Sequence, residues 1–470
     1  MKPAAPSSKR IWLFILAATA FAVGGVALFA HRGGIRPASA AVAKPAAAAA
    51  EPAKVVSTAT PAPVTQKPAL PSGEIVALPA ADPAEKKPVS SEAPAVAKPA
   101  APEKVTAASS SELGTSVLSA RALLKIGKNS EALELLHARV LATPDASADD
   151  KALAAVTEGR ALLAQGKVAD AKLKFEPLAF IPVATETGAD ALLGNLWCQA
   201  GALSRCRDSE LEQVRGGPDS WANATASLEE ARRAEEKAGT ALEGLERARV
   251  LYQQAFDSGK LDGDETTQCV ARLTALANKL LLDPKAACLS PKSVFHKVEA
   301  GDNVEKIARK YKVNVGQIKR INKLNDKLVV RLGQNLKLLP GEIVYKVDRT
   351  RLTGTLYIDG VFLRQYPVGI GPGDATPTGS FSVENKLMNP DWWYDGKKVP
   401  FGDPANILGT RWMGFAASES GQGAGLGVHG TAFPDSVPGR ESKGCVRMHN
   451  ADVEELYDFM PQGGKVVIQD

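Results

Sequence analysis

The sequence predicts a multidomain chain in which an α-helical region and a small βααβ unit precede a mainly β, sandwich-like domain. Three changes of pattern predict this organisation. An Ala/Pro-rich stretch over 37–110 follows an apolar run, apolar residues recur at three- and four-residue spacing over 111–290, and strand-like alternation begins at about 342. A chain of 470 residues has room for about three domains.

The overall composition is typical of a folded protein with a small positive net charge. The formal net charge is +5, which is too weak to indicate nucleic-acid binding, and we predict no nucleic-acid partner. Hydrophobic residues make up 44% of the chain, so large parts of it are expected to bury a core.

The first 36 residues contain an uncharged apolar run over 11–30. A helix of that length spans a bilayer, at about 1.5 Å per residue over roughly 30 Å. Basic residues precede the run, so we predict a single-pass transmembrane anchor with a cytoplasmic N-terminus. A cleaved signal peptide is the alternative, because Ala38-Ser39-Ala40 resembles a cleavage site. Both alternatives predict that the rest of the chain is exported. The anchor would attach the protein to the inner membrane, with the folded domains facing the periplasm or the cell wall.

Residues 37–110 are rich in Ala, Pro, Lys and Ser and contain almost no aromatic side chains. Such a stretch cannot bury enough apolar area to fold, and its prolines interrupt any helix that the alanines favour. We predict a disordered linker, either a tether that reaches from the membrane towards the wall or a spacer of no particular reach.

The helical region at 111–290 contains an internal echo. The pattern Leu-x-x-x-Gly-Lys-x-x-x-Ala begins at Leu123 and again at Leu162, and it resembles the turn of tetratricopeptide-type repeats. Such an array presents a binding surface for a protein partner, although a helical spacer without a partner fits the pattern equally well. Residues 222–255 are predicted to form one long exposed helix.

Four of the five cysteines fall in or just after this region, at Cys198, Cys206, Cys269 and Cys288. An exported protein forms disulfides, so these four thiols are expected either to pair, in one of three connectivities, or to stay as buried free thiols.

Residues 293–340 predict a βααβ unit, with strands at 295–298 and 336–339 around two helices. The opening stretch 296–304 and the closing stretch 333–338 resemble a LysM domain. This resemblance implies binding of N-acetylglucosamine-containing glycans, including peptidoglycan, in a groove next to Gly301, Asp302 and Asn325. An excess of Lys and Arg here either attracts an anionic wall polymer or is simply solvated.

The domain at 342–470 is predicted to be mainly β. Asp359-Gly360 between two apolar runs predicts a hairpin, 465–468 predicts a closing strand, and 451–460 is expected to be helical. Residues 392–394, Trp-Trp-Tyr, are expected in a loop near a cleft or in the core.

Two short motifs in this domain carry the predicted chemistry. They are His429-Gly430-Thr431 and Ser442-Lys443-Gly444-Cys445-Val446-Arg447-Met448. A thiol attacks acyl groups as the thiolate, so Cys445 needs a base, which His429 can supply. Gly430 and Gly444 allow close approach of the backbone, and N–H groups around Cys445 can stabilise an oxyanion.

These motifs resemble the L,D-transpeptidase (YkuD-like) catalytic domain, as do the upstream stretches 376–381, 389–392 and 406–412. The resemblance implies a cysteine acyltransferase that cross-links peptidoglycan stem peptides through a thioester on Cys445, with His429 as base and no metal or organic cofactor. The residues expected to shape the site or its oxyanion hole are Gly444, Ser442, Arg447 and Gly430. Those expected to bind substrate are Trp392 and Arg411.

Other interpretations stay open at this point. Cys445 is alternatively a buried apolar residue, or a zinc ligand with His429 and His449, and Arg447 alternatively forms a structural ion pair. Transfer to water gives an L,D-carboxypeptidase, and transfer to a protein attaches that protein to the wall. A wall-bound scaffold that recruits partners through the helical region is the alternative from a different class.

Overall fold

The computed structural model describes residues 110–394, 396–417 and 423–470. The anchor predicted at 1–36 lies outside this part, as does the predicted linker apart from Ser110, so both stay predictions. Within the described ranges, the helices are all too short or too polar to cross a bilayer.

The region after the predicted linker is helical, as expected from its periodicity. Gly127 and Gly166 take left-handed φ values of 76° and 73°, and each lies in the turn between two helices. Both copies of the sequence motif therefore form helix–turn–helix units, while the tetratricopeptide likeness stays a prediction. The helices are α1 (Ser110–Lys125), α2 (Asn129–Ala142), α3 (Ala148–Ala164), α4 (Val168–Phe175), α5 (Glu186–Ala200), α6 (Asp208–Arg215), α7 (Trp221–Ala238), α8 (Leu242–Asp257) and α9 (Gly263–Leu280).

The prediction of one long exposed helix over 222–255 is wrong. The chain breaks at Gly239, where φ is 55°, and the two resulting helices, α7 and α8, pack against each other. Leu228 and Leu245 become fully buried in this contact region. Breaking the helix is favourable because it lets the apolar stripes of both halves leave water.

The cysteines of this region are free thiols, so the disulfide alternative is wrong. Cys198 lies on α5 and Cys269 on α9, whereas Cys206 and Cys288 lie in connecting segments. Three of the four thiols donate to nearby carbonyl groups instead. The Sγ of Cys269 lies 3.2 Å from the carbonyl oxygen of Tyr252, and the Sγ of Cys288 lies 3.1 Å from that of Pro291. Burial raises the pKa of all four thiols, which keeps them protonated.

The LysM-like unit has the predicted βααβ order. Its elements are β1 (Val294–Lys297), α10 (Val304–Tyr311), α11 (Val315–Ile321) and β2 (Asn335–Leu338). The strands pair antiparallel, with Val294 opposite Leu338. Asn303 caps α10 by accepting a hydrogen bond from the Lys306 N–H.

The last domain contains most of the strands. Its elements are β3 (Ile343–Asp348), β4 (Thr353–Ile358), β5 (Val361–Pro367), β6 (Gly369–Ile370), β7 (Gly379–Met388), β8 (Trp392–Tyr394), β9 (Lys397–Val399), β10 (Arg411–Phe415), β11 (Gly427–His429), β12 (Gly439–Arg440), β13 (Val446–Arg447), α12 (Asn450–Phe459) and β14 (Lys465–Gln469). The hairpin at Asp359-Gly360, the helix and the closing strand are confirmed. The aromatic triplet at 392–394 forms a small hairpin with β9.

The predicted sandwich is a single curled sheet. Ten strands follow the order β12-β6-β13-β11-β10-β7-β14-β3-β4-β5. The long strand β7 pairs with β14 along its first half and with β10 along its second half. This one strand therefore joins two groups of strands that alternation alone would assign to separate layers.

The helical region covers the edge strand of this sheet. The side-chain amide of Gln253 on α8 accepts a hydrogen bond from the Phe362 N–H on β5 and donates to the Gly360 carbonyl group. Phe362 and Tyr357 are buried in the same apolar cluster as α8 and α9. An edge strand is thus protected from pairing with another chain.

The LysM-like unit contacts both neighbours. The buried ammonium group of Lys337 on β2 donates to the carbonyl groups of Leu280 and Asp283, at the end of α9. On the other side, Arg320 of α11 pairs with Asp458 of α12 at 2.7 Å. The unit therefore lies against the helix that follows the cysteine motif.

Candidate active site

Two neighbouring parallel strands place the predicted catalytic pair on one face of the sheet. In β11 and β13, Val428 lies opposite Val446 and both are buried in the core. Because side chains alternate along a strand, His429 and Cys445 extend from the opposite face. His429 at the end of β11 and Cys445 just before β13 are thus directed to the same side of the sheet.

A backbone carbonyl group orients the imidazole of His429. The ring nitrogen Nδ1 lies 2.6 Å from the carbonyl oxygen of Gly430, and the ring stacks on Trp412 with centroids 5.8 Å apart. A carbonyl oxygen only accepts hydrogen bonds, so Nδ1 carries the proton and Nε2 keeps its lone pair.

Burial keeps this imidazole neutral. It lowers the pKa of His429 to about 4, against the carbonyl groups of Gly430 and Leu408, which favour the charged form. At neutral pH the ring is therefore neutral, and the hydrogen bond to the Gly430 carbonyl group assigns its single proton to Nδ1.

Cys445 is also buried and neutral. Burial raises the pKa of its thiol to about 11, although the Gly427 backbone and Arg447 favour the thiolate. Its side chain packs with Leu408 and Trp412. The thiol therefore needs a base to remove its proton before it attacks at neutral pH.

The loop that carries Cys445 is held by Ser442. The Ser442 hydroxyl group donates to the Cys445 carbonyl oxygen at 2.6 Å and accepts from the Gly444 N–H at 3.2 Å. Gly444 has φ of 126°, and a Cβ atom there would lie 2.6 Å from the carbonyl oxygen of Ala375. Only glycine fits this position without strain.

Arg447 lies opposite His429 in the strand register. Among the described residues its guanidinium group has no hydrogen-bond or ion-pair partner, which does not favour the structural ion pair. Its pKa is lowered, mainly by burial. The Cys445 and Glu441 charges favour its charged form, and a partly buried guanidinium group without a hydrogen-bond partner is suited to a carboxylate.

The aromatic hairpin forms one wall of the site. Trp392 packs against the apolar cluster around Cys445 and stacks on Tyr394 with centroids 4.9 Å apart. The ammonium group of Lys443 lies 5.6 Å from the Tyr394 ring centroid. The indole N–H of Trp392 is buried and has no acceptor within the described ranges.

Sequence comparisons give the family. The model of the L,D-transpeptidase catalytic domain, YkuD, matches residues 342–468, and the LysM domain model matches 296–338. YqjB, a candidate L,D-transpeptidase of Bacillus subtilis (strain 168), is 39% identical over 140 residues, which are 30% of this chain and 77% of YqjB. The chain belongs to the L,D-transpeptidase family.

Other L,D-transpeptidases are more distant. YcfS, a candidate of Escherichia coli (strain K12), is 32% identical over 223 residues, 42% of this chain and 68% of YcfS. A crystal structure of an L,D-transpeptidase from Mycobacterium tuberculosis H37Rv has 19% identity and a TM-score of 0.23; the match covers 30% of this chain and 63% of that one.

An L,D-transpeptidase domain is an acyltransferase that acts on peptidoglycan stem peptides, and a LysM domain binds the glycan. In the LysM domain, Gly301 takes φ of 88° and the Asp302 carboxylate accepts from the Glu299 N–H and contacts His296. Asn325 lies in the loop after α11, where its side chain accepts from the Val329 N–H. Their glycan-binding roles stay predictions.

Arg411 is directed towards α12 instead of Cys445. Its guanidinium group lies 5.5 Å from the Tyr457 ring centroid and 3.8 Å from the Glu454 carboxylate. His449 lies at the N-cap of α12. No group of three His, Cys, Asp or Glu side chains in the described part of the chain is placed to hold a metal ion.

Sequence reasoning missed Asn450 in this L,D-transpeptidase domain. Its side-chain amide bonds to the backbone on both sides of the site, at Thr410 and Thr431. The signal in the sequence is slight, because an Asn at the start of a helix is ordinarily interpreted as a cap.

Proposed function

We propose that this protein is a peptidoglycan L,D-transpeptidase that cross-links stem peptides through a thioester on Cys445. His429 Nε2 takes the thiol proton as Sγ attacks the carbonyl carbon of the third residue of a donor tetrapeptide, which is bonded to the nitrogen of the terminal D-alanine. The tetrahedral intermediate collapses, the C–N bond breaks, and His429 returns the proton to the amine of the departing D-alanine.

The second half of the reaction reverses these roles. The side-chain amine of a third residue on a neighbouring stem attacks the thioester and loses its proton to His429. The C–S bond breaks, a new peptide bond joins the two stems, and the proton returns to Sγ. The residues need no metal ion or organic cofactor for this sequence.

The observation that carries this proposal is the neutral, tautomerically defined imidazole on the same face as a protonated thiol. In papain-like sites, a charged thiolate–imidazolium pair exists before substrate binds. Here burial outweighs the attraction between Arg447 and a thiolate at Cys445 and favours the neutral pair, so proton transfer accompanies attack.

The surrounding residues support the same chemistry. Backbone N–H groups next to Cys445, held by Ser442 and Gly444, are proposed to stabilise the oxyanion, and Gly430 supplies the orienting carbonyl group. Arg447 is proposed to hold a stem carboxylate, and Trp392 to contact the stem from the hairpin wall.

The location proposed is outside the cytoplasm, next to the wall. The stem-peptide domain and the glycan-binding domain have their substrates there. Anchoring by residues 11–30 and recruitment of a protein partner by the helical region extend this proposal.

The test uses the full-length protein, because α8 and α9 cover the catalytic sheet. It is incubated with disaccharide-tetrapeptide, and products are identified by mass spectrometry beside Cys445→Ala and the matched control Cys206→Ala, another buried thiol. We expect a dimer lacking one alanine that forms with the control and not with Cys445→Ala.

Two other results would replace this proposal. A tripeptide without dimer that depends on Cys445 would assign an L,D-carboxypeptidase. Loss of cell function in a deletion strain, restored fully by Cys445→Ala, would assign a wall-bound scaffold.

A further inference from the structure

The side chain of Asn450 joins two backbone segments of the active site. Its Oδ1 accepts from the Thr431 N–H at 3.0 Å and from the Thr410 N–H at 3.3 Å. Its Nδ2 donates to the Thr431 carbonyl oxygen at 3.0 Å. These three bonds use the amide as both donor and acceptor, so the orientation of the side chain is defined.

Two glycines make room for this amide. A Cβ atom at Gly409 or at Gly430 would lie 2.2 Å from the Asn450 Oδ1 in each case. No side chain fits at such a distance, so the close approach of both segments to Asn450 depends on glycine at 409 and 430.

The bond to Thr431 has a consequence for the imidazole. The Gly430 carbonyl group and the Thr431 N–H belong to one planar peptide unit, and in a trans peptide these two groups point in opposite directions. When the N–H is directed at Asn450, the carbonyl oxygen is directed away from it, towards the Nδ1 of His429.

We propose that Asn450 is a positioning residue for catalysis: by orienting the Gly430–Thr431 peptide it selects the His429 tautomer that leaves Nε2 as the proton acceptor. This inference rests on the proposed role of His429 as the base. Asn450 acts through the peptide and the ring, and a purely structural role would join α12 to the loop without influence on the tautomer.

The tautomer is measured directly by NMR of full-length protein labelled with ¹⁵N-histidine. The chain has five histidines, and a His429→Gln spectrum assigns the signal of His429. The unsubstituted protein is expected to show the Nδ1–H form. Asn450→Leu, similar in its branching at Cγ but without hydrogen bonds, is expected to show nitrogen shifts averaged over both tautomers.

Asn450→Asp is the conservative variant. It keeps an acceptor for both N–H groups and loses only the donor to the Thr431 carbonyl oxygen, so it should retain the Nδ1–H form. It also keeps the measurement informative if Asn450→Leu does not fold, since loss of the Nδ1–H form in a folded Asn450→Asp protein would overturn the proposal.

Kinetics supply the second readout. Asn450→Leu is expected to lower kcat about 10- to 100-fold, because it removes part of the rate enhancement that a general base ordinarily provides. KM should stay within about twofold of the value for the unsubstituted protein. Asn322→Leu is the matched control, because Asn322 also makes three backbone hydrogen bonds, but within the LysM domain. It should leave the His429 shifts and kcat unchanged.

The outcomes separate this inference from the proposed function. Unchanged His429 shifts in a folded Asn450→Leu protein overturn the positioning role. Absence of turnover in the unsubstituted protein overturns the proposed reaction, while the tautomer comparison still decides whether Asn450 orients the ring.

Discussion

The helical region and the catalytic domain both bury ionisable side chains, but those of the helical region form ion pairs and His429 and Cys445 do not. Arg160 on α3 pairs with Asp262 at 2.6 Å and with Asp190 at 3.5 Å, and it lies over the Trp221 ring. Within the described ranges, His429 and Cys445 form no ion pair of this kind; Arg447 favours a thiolate at Cys445, but burial outweighs this attraction.

This difference shows that the protonation state of a buried group depends on whether an oppositely charged group lies beside it. Where opposite charges face each other, as around Arg160, the carboxylates raise the pKa of the guanidinium group and the ion pairs hold helices together. Where they do not, burial shifts both pKa values towards the neutral forms. The neutral pair has a proton and a lone pair available, which an acyl transfer needs.

Removal of the cation from the helical cluster should have the largest effect. Arg160→Met removes the cation that two buried carboxylates, Asp190 and Asp262, share, which typically costs about 3–5 kcal/mol of unfolding free energy. Urea unfolding followed by circular dichroism measures this loss. Arg207→Met, at an exposed pair with Glu210, is the control and should leave the midpoint unchanged. Equal stability of both variants would mean that the buried ion pairs of Arg160 do not stabilise the helical region, and the contrast with the neutral His429 and Cys445 would be lost.

Alkylation of Cys445 tests the neutral state of the catalytic pair. Because its pKa is raised to about 11, the thiolate fraction grows as pH rises towards that value. The rate of carboxamidomethylation at Cys445, followed by peptide mass spectrometry, should increase about a hundredfold from pH 7 to pH 9. A rate that is already constant above pH 5 would indicate an ion pair and would make the two clusters alike.

Glu265 should make the helical cluster sensitive to pH. Burial, and then the nearby Asp262, raise its pKa to about 7, above that of the unfolded chain. The folded protein therefore binds more protons than the unfolded one between about pH 4.5 and 7, and stability falls as pH rises through this window.

Glu265→Gln measures the size of this term. The amide can still accept from Trp221 and donate to Thr225, so the packing is conserved. The variant should gain stability relative to the unsubstituted protein as pH rises from 5 to 7. A constant difference across these pH values would mean that Glu265 is ionised throughout.

The smallest effect on stability is expected at Cys445, the proposed nucleophile. Cys445→Ala removes one sulfur atom from an apolar cluster and leaves no charge unpaired, so unfolding free energy should change by about 1 kcal/mol or less. Urea unfolding checks this value beside Arg160→Met. A loss as large as that of Arg160→Met would show that Cys445 also has a structural role.

Much of the fold could be predicted because its signals are local. Gly127 and Gly166 mark turns through their left-handed φ, and Asp359-Gly360 marks a hairpin through the same property. The break at Gly239 was missed, because a single glycine in an alanine- and glutamate-rich stretch is compatible with a continuous helix until packing partners are known.

The site was predicted in part for the same reason. His429, Cys445 and their glycines lie in two short motifs whose residue types carry the chemistry. Asn450 and the orienting carbonyl group of Gly430 escaped prediction, because their roles depend on hydrogen bonds between segments around 410, 431 and 450.

The sequence by itself determined the order of the LysM and L,D-transpeptidase domains, the helical and strand periods, and the two motifs that contain the proposed nucleophile and base. These follow from the chemistry of neighbouring residues. The tertiary structure decided that β7 joins ten strands into one sheet, that α8 covers β5, and that the imidazole is neutral with Nδ1 protonated. Register, burial and tautomer depend on contacts between residues far apart in the chain, which neither spacing nor periodicity encodes.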